Sequence, residues 1–263
     1  AIAVLKEAEE KAAEMMALQG IIRNDLAWGR MRAGDWGGAA HEYGRLLQGY
    51  ALAQGGGGPY NGVYAYEAGV CLLAQGEEEA GRALLEAADS YAELDDPAQG
   101  TTGRGEWGPV RYALDMAAAL LSLPAPLHKQ AGEIACIELL VLWDFASSLP
   151  PAAASSFLSL LPDDPALASP VRRKLLGGAL RLALSPEEKT RGEKELWEVI
   201  AAPEEELTTA MPAAHDGRHY KAFAMYLLGR AKVTSGEEEA VKEGQGLLAG
   251  ASAVTECQLA AFL

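Results

Sequence analysis

An all-α chain of antiparallel helix hairpins is the fold class this sequence predicts, and three observations predict it. Ala and Leu dominate while Val, Ile and Thr are sparse, and aromatics make up only 7% of the 263 residues, a composition that favours helices over sheets. Small and apolar residues recur at three-and-four spacing through residues 64–94, at Tyr64, Ala68, Cys71 and Leu72, then at Ala80, Leu84, Ala87, Ala88 and Tyr91. Between the two runs stands Gly76, followed by Glu77, Glu78 and Glu79, and the same device of a glycine, three glutamates and an alanine returns at 236–240. Gly accepts the left-handed backbone that ends one helix, and the glutamates suit the positive end of the next. Such a hairpin leaves an apolar face for a neighbour to cover. The chain is therefore expected to stack about five hairpins into a right-handed array, a single helical-repeat domain over 1–263.

Taken in order, residues 1–18 read as a helix in which Glu7, Glu9, Glu10 and Glu14 mix with Lys6 and Lys11, ended by Gly20. Residues 21–33 and 38–54 form the next hairpin, turned at Gly34-Asp35. The glycines at 55–58 and Pro59 are a flexible connector, because a phosphate cradle needs a Lys and a Ser or Thr just after the glycines and PYNGVY supplies neither. After the 64–94 hairpin, residues 95–109 lack helical periodicity and read as a long surface loop, either mobile or a contact site. Residues 107–123 and 127–149 make the third hairpin, broken by Pro124 and Pro126. Its apolar run, Ile134 to Phe145, is interrupted by Glu138 and Asp144, is too short to span a bilayer, and reads as a central buried helix. A Pro-rich break follows near 150–170, holding a short helix at 152–161 and the capping pairs Asp164-Pro165 and Ser169-Pro170. Residues 171–184 and 186–201 form the fourth hairpin, whose second helix opens with capping-box spacing from Ser185. A short helix at 204–211 precedes the fifth hairpin, 218–234 and 237–263, where Ser235 repeats the cap logic of Ser185.

A net charge of −15 and a pI near 4.7 repel phosphate backbones and anionic lipid, which argues against nucleic acid and membrane surfaces as partners. The densest basic stretches, Arg23, Arg30 and Arg32, then Arg172, Arg173 and Lys174, read as solvated helix faces. Cys71, Cys136 and Cys257 sit far apart in apolar helical contexts and read as buried free thiols, which suits a reducing intracellular, cytoplasmic setting.

Around Ala27, the turn Gly34-Asp35-Trp36, and then Ala39, Tyr43 and Leu46, the stretch AWGRMRAGDWGGAAHEYGRLL resembles a tetratricopeptide-type repeat. Arg23 stands where that pattern has an aromatic, and Arg30 where it has a large packing residue. Spacings of 42 residues from Gly34 to Gly76 and 50 from Ser185 to Ser235 exceed the repeat's ~34 and call for longer helices and irregular loops. In this the chain resembles the degenerate repeats of the soluble NSF-attachment protein family and, more loosely, the helical-repeat protein that associates with huntingtin. The resemblance implies a non-enzymatic scaffold or adaptor, in vesicle trafficking or in a large assembly, with a protein partner and no cofactor. Its motifs encode packing, so it transfers no functional residue.

Partner-binding candidates are the aromatics beside helix turns, Trp36, Tyr43, Tyr60, Tyr64, Trp107 and Tyr220, with Tyr226 beside the last. Each can equally fill a gap between stacked hairpins. The acidic balance predicts a partner with a basic or mixed surface and an association that weakens with salt. For chemistry, His215 and His219 in HDGRH have metal spacing with Asp216 between them, but Gly217 interrupts and a solvent-exposed loop is the expectation. His41 and His128 are expected on the surface. The acidic pairs Asp95-Asp96 and Asp163-Asp164 are explained by capping and turns, with a metal-assisted pocket in an all-α enzyme as the alternative function. A third reading, a structural subunit that folds only within a large complex, comes from the apolar chain ends.

Overall fold

The computed structural model describes residues 2, 4–6, 16–53, 60–93, 108–208 and 218–253. Residues 2 and 4–6 are helical, there is no strand among the described residues, and from Met16 onward these form twelve α-helices and two single-turn 3-10 segments. They are α1 (Met16–Arg32), α2 (Trp36–Ala53), α3 (Asn61–Gln75), α4 (Glu78–Glu93), α5 (Gly108–Leu121), α6 (His128–Leu142), α7 (Pro151–Leu160), α8 (Pro170–Arg181), α9 (Pro186–Ile200), α10 (Glu204–Thr208), α11 (Arg218–Ser235) and α12 (Glu238–Ala253). Short 3-10 turns occupy Ala125–Leu127 and Ala146–Ser148. Helices pack beside their chain neighbours, as the solenoid-like reading requires. Two compact units result, Ala1–Cys136 and Ile137–Leu263, and the boundary falls within α6.

The turns explain themselves from sequence. Gly34, Gly76 and Gly236 take φ of +73°, +95° and +76°, the left-handed region that a side chain resists. Each is followed by an acidic residue whose carbonyl accepts the first bond of the next helix: Asp35 from Ala39, Glu77 from Gly81, Glu237 from Val241. Asp35 adds a side-chain cap, accepting the Gly38 N–H at 2.9 Å, while Arg30 donates to its other oxygen at 2.6 Å. Arg30 also stands 3.5 Å from Glu42, so where the repeat pattern has a packing residue this chain ties the turn with charge. Ser169 and Ser185 cap α8 and α9, with Pro170 and Pro186 at the first helical position. Ser235 behaves differently from Ser185: it is the last residue of α11, donating to the Lys232 carbonyl, and Glu237 opens α12 instead.

Within the first unit, α1 packs on α2, α2 on α3, α3 on α4, and α5 on both α3 and α4. In the second, α7 packs on α8, α8 on α9, both α8 and α9 against α11, and α11 on α12. Three hairpins close on a reciprocal glycine contact. A Cβ at Gly81 would lie 2.9 Å from the Gly69 carbonyl oxygen, one at Gly192 2.7 Å from that of Gly178, and one at Gly244 2.7 Å from that of Gly229. Four residues beyond the second glycine a leucine, Leu85, Leu196 or Leu248, covers the first. In the α1–α2 hairpin the same places hold Ala27, Ala39 and Tyr43, all fully buried. Small residues let two helix backbones approach until only a glycine or alanine fits between them.

Several sequence expectations are corrected. Gly20 does not end a helix, since α1 runs through it. The helix that opens the third hairpin's second half stops at Leu142 rather than 149, because Asp144 turns left-handed at φ +60° and the 3-10 turn follows. Its apolar centre is buried as expected, Ile134 to Leu142 including Glu138. Asp164 forms a turn, its side chain accepting the Ala166 N–H, and not a helix cap. The long loop at 95–109 falls outside the described residues up to Gly108, where α5 begins, and the Pro-rich break holds the ordered α7.

Candidate functional site

Of the six aromatic candidates, Trp36, Tyr43 and Tyr220 are buried, Tyr64 is half-buried, Tyr60 is 44% exposed, and Trp107 lies outside the described residues. They are brought together only in part. Tyr43 stands edge-on to Trp28 with ring centroids 6.3 Å apart and stacks on Tyr64 at 6.2 Å, and Tyr64 meets Tyr60 at 6.2 Å. An aromatic ladder therefore runs from the interior of α1–α2 to the start of α3, with Tyr60 as its outer rung. Tyr220, 0% exposed, is occupied internally and offers no surface to a partner.

Buried polar groups cluster in each unit. In the second, Glu138 of α6 accepts both Nε and Nη2 of Arg172 on one oxygen and the Tyr220 hydroxyl, at 2.8 Å, on the other, while Arg172 Nη1 donates to the Leu167 carbonyl at 3.1 Å. Arg172 is thus no solvated surface residue: its neighbour in the fold, not in the chain, decides its place. His219, expected in an exposed loop, is fully buried, its ring against Tyr220 at 4.1 Å and edge-on to Phe223 at 6.5 Å; His215 and Asp216 lie outside the described residues. Asp144 pairs with Arg230 and accepts a 3.4 Å bond from the Tyr226 hydroxyl, on the wall of a cleft of ≈330 Å³ that Lys189 and Thr234 also line.

In the first unit His128 is also buried, against the expectation of a surface position, its Nδ1 3.0 Å from a Glu78 oxygen and its Nε2 2.9 Å from the Leu123 carbonyl. His41 is exposed. Deeper inside, Glu67 and Cys71 share one face of α3, and the Cys136 thiol of α6 approaches Cys71 at 3.8 Å. Both cysteines are free and buried, as read; Cys257 lies outside the described residues. Burial pushes the Glu67 carboxyl well up, and its Oε2 has no hydrogen-bond partner among the described residues. Burial, then the Cys136 contact and Glu67, push the Cys71 thiol up as well. A thiol kept protonated in an apolar interior is a poor nucleophile and a poor metal ligand.

Among the described residues, two further clefts are lined by exposed charged side chains. On α4, Glu78, Glu79, Arg82 and Glu86 line an acidic one of ≈520 Å³. Between α8 and α9, one of ≈370 Å³ has a floor of Leu158, Leu161 and Gly177, and walls carrying Arg173, Lys174, Arg181, Arg191 and Lys194. Three carboxylates answer them: Asp163 pairs with Arg173, Glu198 with Lys174 at 2.9 Å, and Glu195 with Arg181 at 2.7 Å and Arg191 at 3.7 Å. Burial pushes the Glu195 carboxyl up by more than the two arginines pull it down, whereas the Lys174 hydrogen bond holds Glu198 below the usual carboxylate range. The linear sequence marked only part of this cleft, the basic stretch that holds Arg173 and Lys174 and reads as a solvated helix face, because Arg191 and Lys194 arrive from a second helix that the hairpin brings beside the first.

Among the described residues no group of three His, Cys, Asp or Glu side chains stands close enough to hold a metal ion, and no helix is long and apolar enough to cross a membrane. Comparison with protein-family models, with curated proteins and with solved structures returned no match.

Proposed function

We propose that this chain is a non-enzymatic scaffold or adaptor that binds another protein through the outer faces of its helix hairpins. The observation that carries the reading is the repeated hairpin closure. The small-residue pair and large residue at Ala27, Ala39 and Tyr43, which carry the tetratricopeptide resemblance, return as Gly69, Gly81 and Leu85 with the same spacing of 12 and 4 residues. They return again as Gly178, Gly192 and Leu196 with two residues added, the loop from α8 to α9 being two residues longer than that from α3 to α4. A likeness to tetratricopeptide arrays, and through them to soluble NSF-attachment proteins, rests on this pattern. Stacked hairpins of this kind present long rigid surfaces at little conformational cost, which is how helical-repeat proteins hold partner segments. The buried Glu138–Arg172–Tyr220 group supports the same reading, since its atoms are spent on one another and join α6, α8 and α11.

Capture on the immobilised full chain at low ionic strength, followed by reconstitution with the purified captured protein, tests this. A stoichiometric complex that dissociates as salt rises is the expected result. Failure to reconstitute any binary complex, together with a rise in melting temperature on adding magnesium or zinc, would favour the enzyme alternative.

A further inference from the structure

We propose that the cleft between α8 and α9 is the docking surface, and that the segment it takes from the partner protein is acidic with an apolar side chain at its centre. The inference rests on the scaffold reading and gives the partner its chemistry. The chain as a whole carries 37 acidic and 22 basic residues, yet this cleft is lined by five cations against three carboxylates, with Glu188 pairing Arg181 as a fourth, so the local balance is reversed by a single charge. Net charge acts at long range and is screened beyond about 8–10 Å at physiological ionic strength, so the local surplus decides what seats inside a cleft. At this cleft the proposed partner segment differs from the basic or mixed surface that net charge alone suggests.

Geometry supports an incoming carboxylate at each wall. Arg173, Lys174 and Arg191 have side-chain exposures of 42%, 41% and 62%, so their heads reach solvent. Ion pairs this exposed are individually weak, and a partner carboxylate can replace Asp163 or Glu198 at little loss. Arg181 is different. It is 12% exposed and fixed by Glu188 at 2.9 Å as well as Glu195, which makes it part of the cleft's frame. Leu158 and Leu161 are half-buried at the floor, and Gly177 adds no side chain above them: a Cβ there would meet Arg181 Nη1 at 2.9 Å. A leucine-sized side chain flanked by glutamates or aspartates matches that floor and those walls.

The probe is a fluorescently labelled peptide of about fifteen residues, rich in glutamate with leucines at helical spacing, read by anisotropy against a lysine-rich peptide of the same pattern. Full-length wild type is compared with R191E/K194E, with the charge-neutral R191Q/K194Q in case the reversal fails to fold, and with R82E/K242E, which makes the same charge change elsewhere. The acidic peptide should bind wild type, weaken at least about tenfold in both cleft variants, and bind R82E/K242E within about twofold of wild type. Equal binding to all variants, preference for the lysine-rich peptide, or no binding would overturn the proposal. Concentration-dependent self-association abolished by R191E/K194E would also overturn it, assigning the cleft to the acidic α4 face of a second copy. If a protein partner is reconstituted and binds the cleft variants as tightly as wild type, this inference fails while the scaffold reading stands.

Discussion

Replacing Glu138 by Leu tests whether the second unit is organised around its buried ionic group. Glu138 is fully buried and Arg172 nearly so, with a side-chain exposure of 7%. Removing the carboxylate takes away the hydrogen bonds that Glu138 accepts from the Arg172 guanidinium and from the Tyr220 hydroxyl. Breaking a buried pair from one side costs about 3–5 kcal/mol, and an unsatisfied buried hydroxyl about 1–3 kcal/mol, partly the same loss. A net loss of about 4 kcal/mol corresponds to a fall in melting temperature of roughly 15 °C for a cooperative unit of this size. Calorimetry is the assay, because the two units need not melt together, and the shift must fall on the transition of Ile137–Leu263. The triple variant E138L/R172M/Y220F removes every member of the group and should recover to within about 1–2 kcal/mol of wild type, since apolar replacement of a whole buried network is close to neutral. A loss under about 1 kcal/mol for E138L, or a triple variant whose loss equals the sum of the singles, would refute the reasoning.

Two helical glycines should respond with opposite signs: Gly192→Ala forces a Cβ to 2.7 Å from the Gly178 carbonyl and should destabilise by about 1–3 kcal/mol, while Gly246→Ala, with nothing within 4 Å, should stabilise by about 1 kcal/mol, both read by chemical denaturation. Because burial raises the Glu67 carboxyl in the folded state, the stability it confers is complete below the unfolded value of about 4.3 and is lost as pH rises through the raised folded value. Glu67→Gln removes that dependence, so its melting temperature relative to wild type should climb between about pH 5 and pH 8, and a flat difference would contradict it. Asp35→Ala should cost about 1 kcal/mol, the value of an N-cap. Burial acts to raise the Asp35 carboxyl, but the Gly38 N–H and Arg30 outweigh it and hold it low; that stabilisation is present above the ordinary aspartate value and disappears as acid brings the pH down through the depressed one.

Much of the architecture was legible because its causes are local. A glycine at positive φ followed directly by an acidic residue has a signature within five residues, and Gly34, Gly76 and Gly236 were readable on that ground. Gly20 misled for the complementary reason. A glycine inside a helix costs only about 1 kcal/mol against alanine, and burial of Ile22 and Leu26 under Ile2 and Leu5 carries α1 through it. Two of the groups misplaced on the surface have partners far away in the chain. Arg172 is buried because Glu138 stands 34 residues earlier, and His128 because Glu78 stands 50 earlier. Fixed-period comparison also hid the glycine repeat, since spacings of 12, 14 and 15 residues between paired glycines follow loop length and helix register and not a constant period. For the site, the aromatics were legible as aromatics and not as surface. Trp36, Tyr43 and Tyr220 have the composition of anchors, but stacked hairpins need large side chains at the same positions to fill the space between helices. The cleft between α8 and α9 required the hairpin itself, which brings Lys194 and Arg173 to one cleft.

Hydrogen exchange of the full chain with and without its reconstituted partner tests the central claim most directly. The account predicts added protection along the cleft-lining segments of α7, α8 and α9, with the amides around Glu67 and Glu138 already slow and unchanged. Protection confined to α1–α5, or a complex that leaves α8 and α9 exchanging as in the free chain, would contradict it.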